Sequence, residues 1–262
     1  MQLEKISDRL YVIKGGSGAN GGVYIGDESV LLVDSKSNQS SVDQVFAEIN
    51  KITDKPVKYL INTHSDGDHI GGNRYLPDGV TVISHENCRK DFFLPGRNDQ
   101  PSQWENEELL PFVPSVTFTD KMDLYMGKKK IELRYFGVGH TTGDAVVYFP
   151  DEKAAFLGDQ IFVGRTPLIH AYKGGNSFEQ VKTLTKMLET LDAEVFSSGH
   201  AENQTPQDIR NYINQMKSRQ EKIMALSSRG SSLEDIKAQF EENEASLVEI
   251  IYNEVQKMKR QY

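Results

Sequence analysis

Short apolar runs, set off by glycines and polar clusters, dominate the first two thirds of the chain. Val30-Leu31-Leu32-Val33 is uninterrupted, which predicts a strand over Val30–Asp34 buried on both faces. Arg9–Lys14 and Gly22–Ile25 carry β-branched and aromatic residues between glycines and predict two further strands. Ser41–Lys51 places Val42, Val45, Phe46 and Ile49 at helical spacing. Val57–Asn62 predicts the next buried strand, and it ends at a polar loop rich in His and Asp. The pattern then predicts a short helix near Ile70–Tyr75, a strand at Val80–Ser84 and a helix at Glu86–Phe93. Residues 95–114 hold four of the nine prolines and the single tryptophan, Trp104, and read as a long irregular loop of the kind that forms lids.

Strands return at Val116–Thr119, Asp123–Met126, Lys129–Phe136, Ala145–Phe149 and Ala154–Leu157. A helix starts at Ser177, where Ser177 and Gln180 have capping-box spacing, and a short strand follows at Glu194–Ser197. The remainder is helical. Thr205-Pro206 supplies an N-cap and a first-turn proline, and Ile209, Ile213, Met216, Ile223 and Met224 form an apolar face. Ser231 and Glu234 cap another helix. Leu247, Ile250, Ile251, Val255 and Met258 form a last stripe, for core packing or for contact within a homo-oligomer. Strands with helices between and after them predict an α/β protein, an αββα sandwich over residues 1–204 with a helical extension, 205–262, packed on the same domain.

Composition narrows the function classes. A chain of 262 residues with 37% hydrophobic and 26% charged residues is a globular protein of one large or two small domains. Its apolar runs are too short to span a bilayer, so no membrane partner is expected. Lys5, Asp8, Arg9 and Lys14 interrupt every apolar stretch of the first twenty residues, so a secretory leader is not expected there and the cytoplasm is the default location. Cys88, the one cysteine, excludes an intramolecular disulfide and a multi-cysteine zinc module. The net charge is −8, and from Thr205 onward nine basic residues balance nine acidic ones, so the excess lies in the first 204 residues. No basic stripe is present, which argues against nucleic acid and leaves a small-molecule substrate.

The chemistry concentrates in Thr63-His64-Ser65-Asp66-Gly67-Asp68-His69-Ile70-Gly71-Gly72. Four strong metal ligands occur within six positions, directly after a buried strand, and imidazole and carboxylate are the donors that zinc and iron use. Gly67, Gly71 and Gly72 permit the tight backbone that such a loop needs. Three later segments each place a donor after strand residues and beside glycine: His140 in Gly137–Asp144, Asp159 in Phe156–Asp159, and His200 in Phe196–His200. Asp34 ends a strand beneath the loop and is placed to orient a ligand. His170 lies eleven residues after Asp159 and, with Arg165 and Tyr172 flanking it, is a candidate for substrate binding. His85 and Cys88 read as packing residues.

These four blocks, in this order, resemble the metallo-β-lactamase superfamily, whose pattern is H-x-H-x-D-H after a strand, then a His, a Gly-Asp and a Gly-His at strand ends. The resemblance covers about residues 3–204. It implies that His64 and His140 hold a first metal with Asp66 in the place of the second His. Asp68, His69 and His200 would hold a second, and Asp159 would bridge them, as in glyoxalase II-like members rather than the cysteine-bearing β-lactamases. Two divalent ions are implied, zinc first, with iron or manganese as alternatives that an extra oxygen donor favours. Asp66 departs from the family pattern. It makes the site one unit more negative than a His would, and hence a weaker Lewis acid.

By the same resemblance, the expected activity is metal-dependent hydrolysis of a small ester, thioester or lactone by a metal-bound hydroxide, with Asp68 orienting it and carrying its proton. Two alternatives stay open. One is a mononuclear iron oxygenase of the same superfamily. The other is a non-catalytic binding protein on a degenerate metal site, which Asp66 motivates.

Overall fold

The structure, a computed structural model, describes residues 1–95 and 100–260. Two β-sheets form the centre. The first has seven strands in chain order: β1 (Gln2–Lys5), β2 (Leu10–Lys14), β3 (Gly21–Ile25), β4 (Val30–Val33), β5 (Val57–Asn62), β6 (Thr81–His85) and β7 (Val116–Phe118). Pairing is antiparallel from β1 to β4 and parallel from β4 to β7. The second sheet holds β8 (Lys121–Met126), β9 (Lys129–Arg134), β10 (Val146–Phe149), β11 (Ala154–Phe156) and β12 (Val195–Ser197), in that spatial order, with only β11 and β12 parallel.

Strand periodicity builds the layers. In β4, Leu31 and Val33 face the second sheet, packing with Tyr24, Ile61, Val147, Phe149 and Phe156. Val30 and Leu32 face the other way, onto Val42, Val45 and Ile49 of α1 (Gln39–Ile49). Because both faces are covered, β4 and β10 read as unbroken apolar runs, as parallel or central strands do. The outer face of the second sheet carries α4 (Ser177–Thr190), which follows the one-turn α2 (Gly67–Ile70) and α3 (Glu86–Asp91) in the chain. Beyond α4 lie α5 (Pro206–Ser228), α6 (Leu233–Lys237) and α7 (Ala245–Lys259). Leu184 and Met187 of α4 share one apolar cluster with Ile209, Met216 and Ile223 of α5 and Leu247 and Ile251 of α7. The αββα sandwich is thus as expected.

Several local expectations are corrected. β1 was not anticipated: it is an edge strand with half its residues exposed, so it lacks an apolar run. The helix expected over Ile70–Tyr75 is split into α2 and a 3-10 turn at Asn73–Tyr75. Asn176, not Ser177, caps α4, because Ser177 is already engaged from α7. Ser232 with Asp235, one position beyond the expected pair, caps α6. Met224 is exposed rather than part of the apolar face of α5. The expected loop over 95–114 is partly outside the described residues. Its later part forms 3-10 turns at Gln103–Glu105 and Glu107–Phe112, and Trp104 is buried with Ile70, Cys88, Phe92 and Val113, so this part is packed.

Candidate metal centre

The chain gathers its donors at one end of the sandwich, where β4, β5, β11 and β12 finish and where the connection from β9 to β10 crosses. After β4 the backbone turns at Asp34 with φ 58°, a left-handed conformation that non-glycine residues adopt rarely. That turn aims the carboxylate at the next strand end. Thr63 donates to it through both backbone N–H and hydroxyl at 2.8 Å, and His69 Nδ1 lies 2.7 Å from Oδ2. These three contacts hold the start and the end of the His/Asp loop against one anchor.

Close glycines complete the packing. A Cβ on Gly72 would approach Ser35 O to 1.9 Å, and one on Gly199 would reach Asp159 Oδ1 at 2.3 Å and the His69 ring at 2.7 Å. Gly67, expected to be equally constrained, faces open space. Asp66 occupies the N-cap position of α2, a place where Asp normally bonds the helix N–H groups, yet it makes no side-chain capping bond. Its carboxylate points into the centre instead.

Two groups of donors result. His64, Asp66, His140 and Asp159 have donor atoms within 4.8 Å of one another, and so do Asp68, His69 and His200. The two groups adjoin. The His64 and His69 rings are 4.1 Å apart, and Asp159 lies 3.1 Å from His69 Nε2 through Oδ1 and 3.2 Å from His200 Nε2 through Oδ2. All seven residues expected at the metal site therefore converge. The scaffold takes the Nδ1 side of three imidazoles: His64 on Thr63 Oγ1 at 3.1 Å, His69 on Asp34, and His140 donating to Leu168 O at 2.8 Å. With the proton on Nδ1, each Nε2 offers a lone pair to the centre.

Those lone pairs face carboxylate oxygens. His140 Nε2 lies 3.1 Å from Asp66 Oδ2, and His69 Nε2 lies 3.1 Å from Asp159 Oδ1. His64 Nε2, His69 Nε2 and Asp159 Oδ1 are buried with no hydrogen-bond partner among the described residues. Lone pair against lone pair at this spacing requires a cation between them, a proton or a metal ion. Without a metal, protons serve. Burial opposes charge on His69 and His140, but Asp159, Asp34 and Asp66 hold both above the usual imidazole range. Hydrogen bonds to Asp159 and Asp68 raise His200 to about 9. Burial works against ionised Asp66 and Asp159 too, yet the surrounding imidazoles hold both carboxyls well below the usual carboxylate range. The donor set, two imidazole–carboxylate groups sharing Asp159, fits a pair of divalent ions.

His170 reaches the centre itself, with Nε2 2.7 Å from Asp66 Oδ2. Tyr172 is exposed, its ring 5.0 Å from that of His170. Among the described residues, Arg165 has no ion pair or hydrogen bond with a metal-type donor. It lies 5.1 Å over the ring of Phe162, beside a cavity of about 590 Å³ that Tyr212 and Arg219 also line, and Phe162 in turn stacks on His200 at 6.0 Å. His85 is buried against Tyr135 and bonded to Thr119 O, a packing residue as expected, and Cys88 is buried.

Two buried lysines escaped the sequence reading. Lys173 Nζ donates to Asp66 Oδ1 at 2.7 Å and to Ser65 Oγ at 2.8 Å. Burial pushes this ammonium down, but Asp66 overrides it and holds it above its ordinary value. Lys36 Nζ donates to the carbonyls of Gly18 and Ala19, and burial lowers it to about 8 against the pull of Asp68 and Asp34. Neither stands in a motif. The one available signal was the acid at position 66, which calls for a balancing cation somewhere in the fold.

Known proteins resemble this chain. A 2,4-dinitroanisole O-demethylase subunit alpha from Nocardioides sp. (strain JS1661) is 28% identical over 146 residues, 54% of this chain and 40% of that protein. A hydroxyacylglutathione hydrolase from Pelagibacter ubique (strain HTCC1062) is 27% identical over 142 residues, 51% of each. The chain thus spans about half or less of the length of these relatives. The solved structure of a metallo-beta-lactamase from Pontibacter korlensis superposes with a TM-score of 0.68 at 19% identity, covering 82% of this chain and 98% of that one, which shows the shared fold. The model of the metallo-beta-lactamase superfamily matches residues 15–200, a span that contains all seven converging donors. With most of its length and its whole donor set inside that match, the chain belongs to the metallo-beta-lactamase superfamily.

Proposed function

We propose that this protein is a metal-dependent hydrolase of a small ester, thioester or lactone, with zinc the first candidate metal. One observation carries the reading: buried imidazole Nε2 atoms face carboxylate oxygens at 3.1 Å twice, His69 against the buried Asp159 and His140 against the half-buried Asp66. His64, Asp66 and His140 would hold one ion, Asp68, His69 and His200 a second, and Asp159 both. When bound, such ions polarise the substrate carbonyl and lower the pKa of water.

The remaining tasks fall to the chain. Asp34 and Thr63 keep His64 and His69 in the tautomer that leaves Nε2 free. Asp68 is the most exposed carboxylate of the centre, with Oδ2 3.1 Å from His200 Nε2. It is placed to take a proton from the attacking water and deliver it to the leaving oxygen or sulfur. Phe162, stacked on His200, forms an apolar wall on that side. A relative named hydroxyacylglutathione hydrolase makes an acylated thiol the first substrate to test.

The experiment is elemental analysis of protein purified without added metal, followed by a panel of chromogenic thioesters, lactones, phosphodiesters and β-lactams. Chelation should abolish turnover of the accepted substrate, and zinc, manganese or iron should restore it. Full activity in a metal-free sample overturns the reading. A second reading has one specific support: Asp68, His69 and His200 are by themselves a two-His, one-carboxylate set, the donor pattern of mononuclear iron oxygenases. Iron as the sole metal, with oxygen consumed during turnover, would favour it.

A further inference from the structure

We infer that Lys173 is the built-in counter-charge of Asp66, so that the pair gives the metal centre the net charge it would have with a neutral imidazole at position 66. The inference rests on the metal-centre reading above and concerns a residue outside the donor set.

Three observations carry it. First, the ammonium and the carboxylate are paired directly, 2.7 Å apart, and Lys173 is among the buried residues. A lysine is buried in this way only with a partner. Second, the contact divides the labour of the carboxylate. Oδ1 is taken by Lys173, and Oδ2 alone faces the Nε2 atoms of His170, His140 and His64 at 2.7, 3.1 and 3.5 Å. Asp66 is thereby presented as a one-oxygen donor.

Third, Lys173 is held by the backbone that places His140. His170 N donates to His140 O, Thr142 N to Lys173 O, and Asn176 N to Gly139 O. Within the turn, Lys173 N donates to His170 O. The cation and the imidazole are thus fixed by one pair of zipped segments. Asp66, Asp68 and Asp159 face the ions, Lys173 cancels one of them, and the sum equals that of a site with His at 66. The weaker Lewis acidity that Asp66 alone would imply is offset.

This predicts a reversal. Asp66→His restores the imidazole of the family pattern, yet it strands the Lys173 ammonium beside a divalent ion. Its zinc affinity should fall by about tenfold or more, because like charges repel strongly where water is excluded. Asp66→His/Lys173→Met removes both charges together and should recover most of that loss. Lys173→Met alone leaves the centre one unit more negative and should bind Mn²⁺ at least as tightly as the wild type.

The measurement is competition with a chromogenic chelator for Zn²⁺ and for Mn²⁺ on the 262-residue chain. Metal content is determined in parallel, and folding is checked by circular dichroism. Equal zinc affinity in Asp66→His and the double variant overturns the inference. So does a tenfold or larger loss of Mn²⁺ affinity in Lys173→Met, since Lys173 would then serve shape rather than charge. If Asp66→His does not fold, the Lys173→Met result decides alone. A wild-type chain that takes up no zinc, manganese or iron overturns the proposed function, and the inference with it.

Discussion

Asp91, on α3 behind the metal loop, is an acid held where its charge is costly. Its Oδ2 is buried without a hydrogen-bond partner among the described residues, and burial raises its pKa to about 6 although Lys173 pulls it down. An acid whose folded pKa lies above its unfolded value of about 3.9 binds more protons when folded. Its contribution to stability is therefore complete below about pH 3.9 and is lost as pH rises toward 6. Asp91→Asn should stabilise the protein at pH 8 by about 1–2 kcal/mol, a discounted two-unit shift, and leave it nearly unchanged at pH 4. Urea midpoints of both proteins at the two pH values check this, and an equal difference at both would mean that ionisation is not the cause. The same scale explains what the sequence revealed. His64, Asp68, His69, His140, Asp159 and His200 were legible because metal donors must recur at strand ends. Asp34 was legible because it closes a buried strand. Lys173 was not, because its meaning depends on Asp66, 107 positions away and paired with it only in space.

Element by element, what could be read was what is buried on both faces. β4 and β10 announced themselves by apolar runs, whereas β1 lies at the sheet edge, half its residues exposed, and carries no such mark. Helix starts were blurred where a tertiary partner replaced the local cap. Ser177 has capping-box spacing, but its N–H and hydroxyl both donate to Glu254 of α7, and Gln220 of α5 donates to Ser177 Oγ at 3.2 Å. One buried carboxylate thus ties the start of α4 to α5 and α7, and it sits at a helix N-terminus, where negative charge is favoured. Glu254→Ala leaves the Ser177 donors unpaired in the interior and should cost about 3 kcal/mol. Glu254→Gln keeps the shape and one acceptor and should cost about 1 kcal/mol. Urea denaturation measures both, and an unchanged midpoint for Glu254→Ala would show that this junction is held by its apolar contacts only.

For the whole molecule, the donor set bridges the sandwich. His64, Asp66, Asp68 and His69 follow β5 of the first sheet, Asp159 and His200 follow β11 and β12 of the second, and His140 comes from the connection within it. A metal ion held by these donors would join the two sheets at one end. On the other side of the second sheet, α4, α5 and α7 already supply a continuous apolar cluster, so the fold should form without metal. Binding to the folded state alone adds stability by mass action, about 2.7 kcal/mol when free metal is 100 times Kd. For a chain of this size that corresponds to a rise in Tm of roughly 5–10 °C. Chelated wild-type protein should therefore melt cooperatively at a lower Tm and recover on reloading with zinc. Asp159→Ala removes a carboxylate that touches both donor groups, and its Tm should rise clearly less on reloading with zinc than the wild type's does. Calorimetric scans of the two proteins, stripped and reloaded, make the comparison. If stripped and reloaded wild type melt together, the ions do not join the sheets. If Asp159→Ala gains as much from zinc as the wild type does, Asp159 is not the group the ions share.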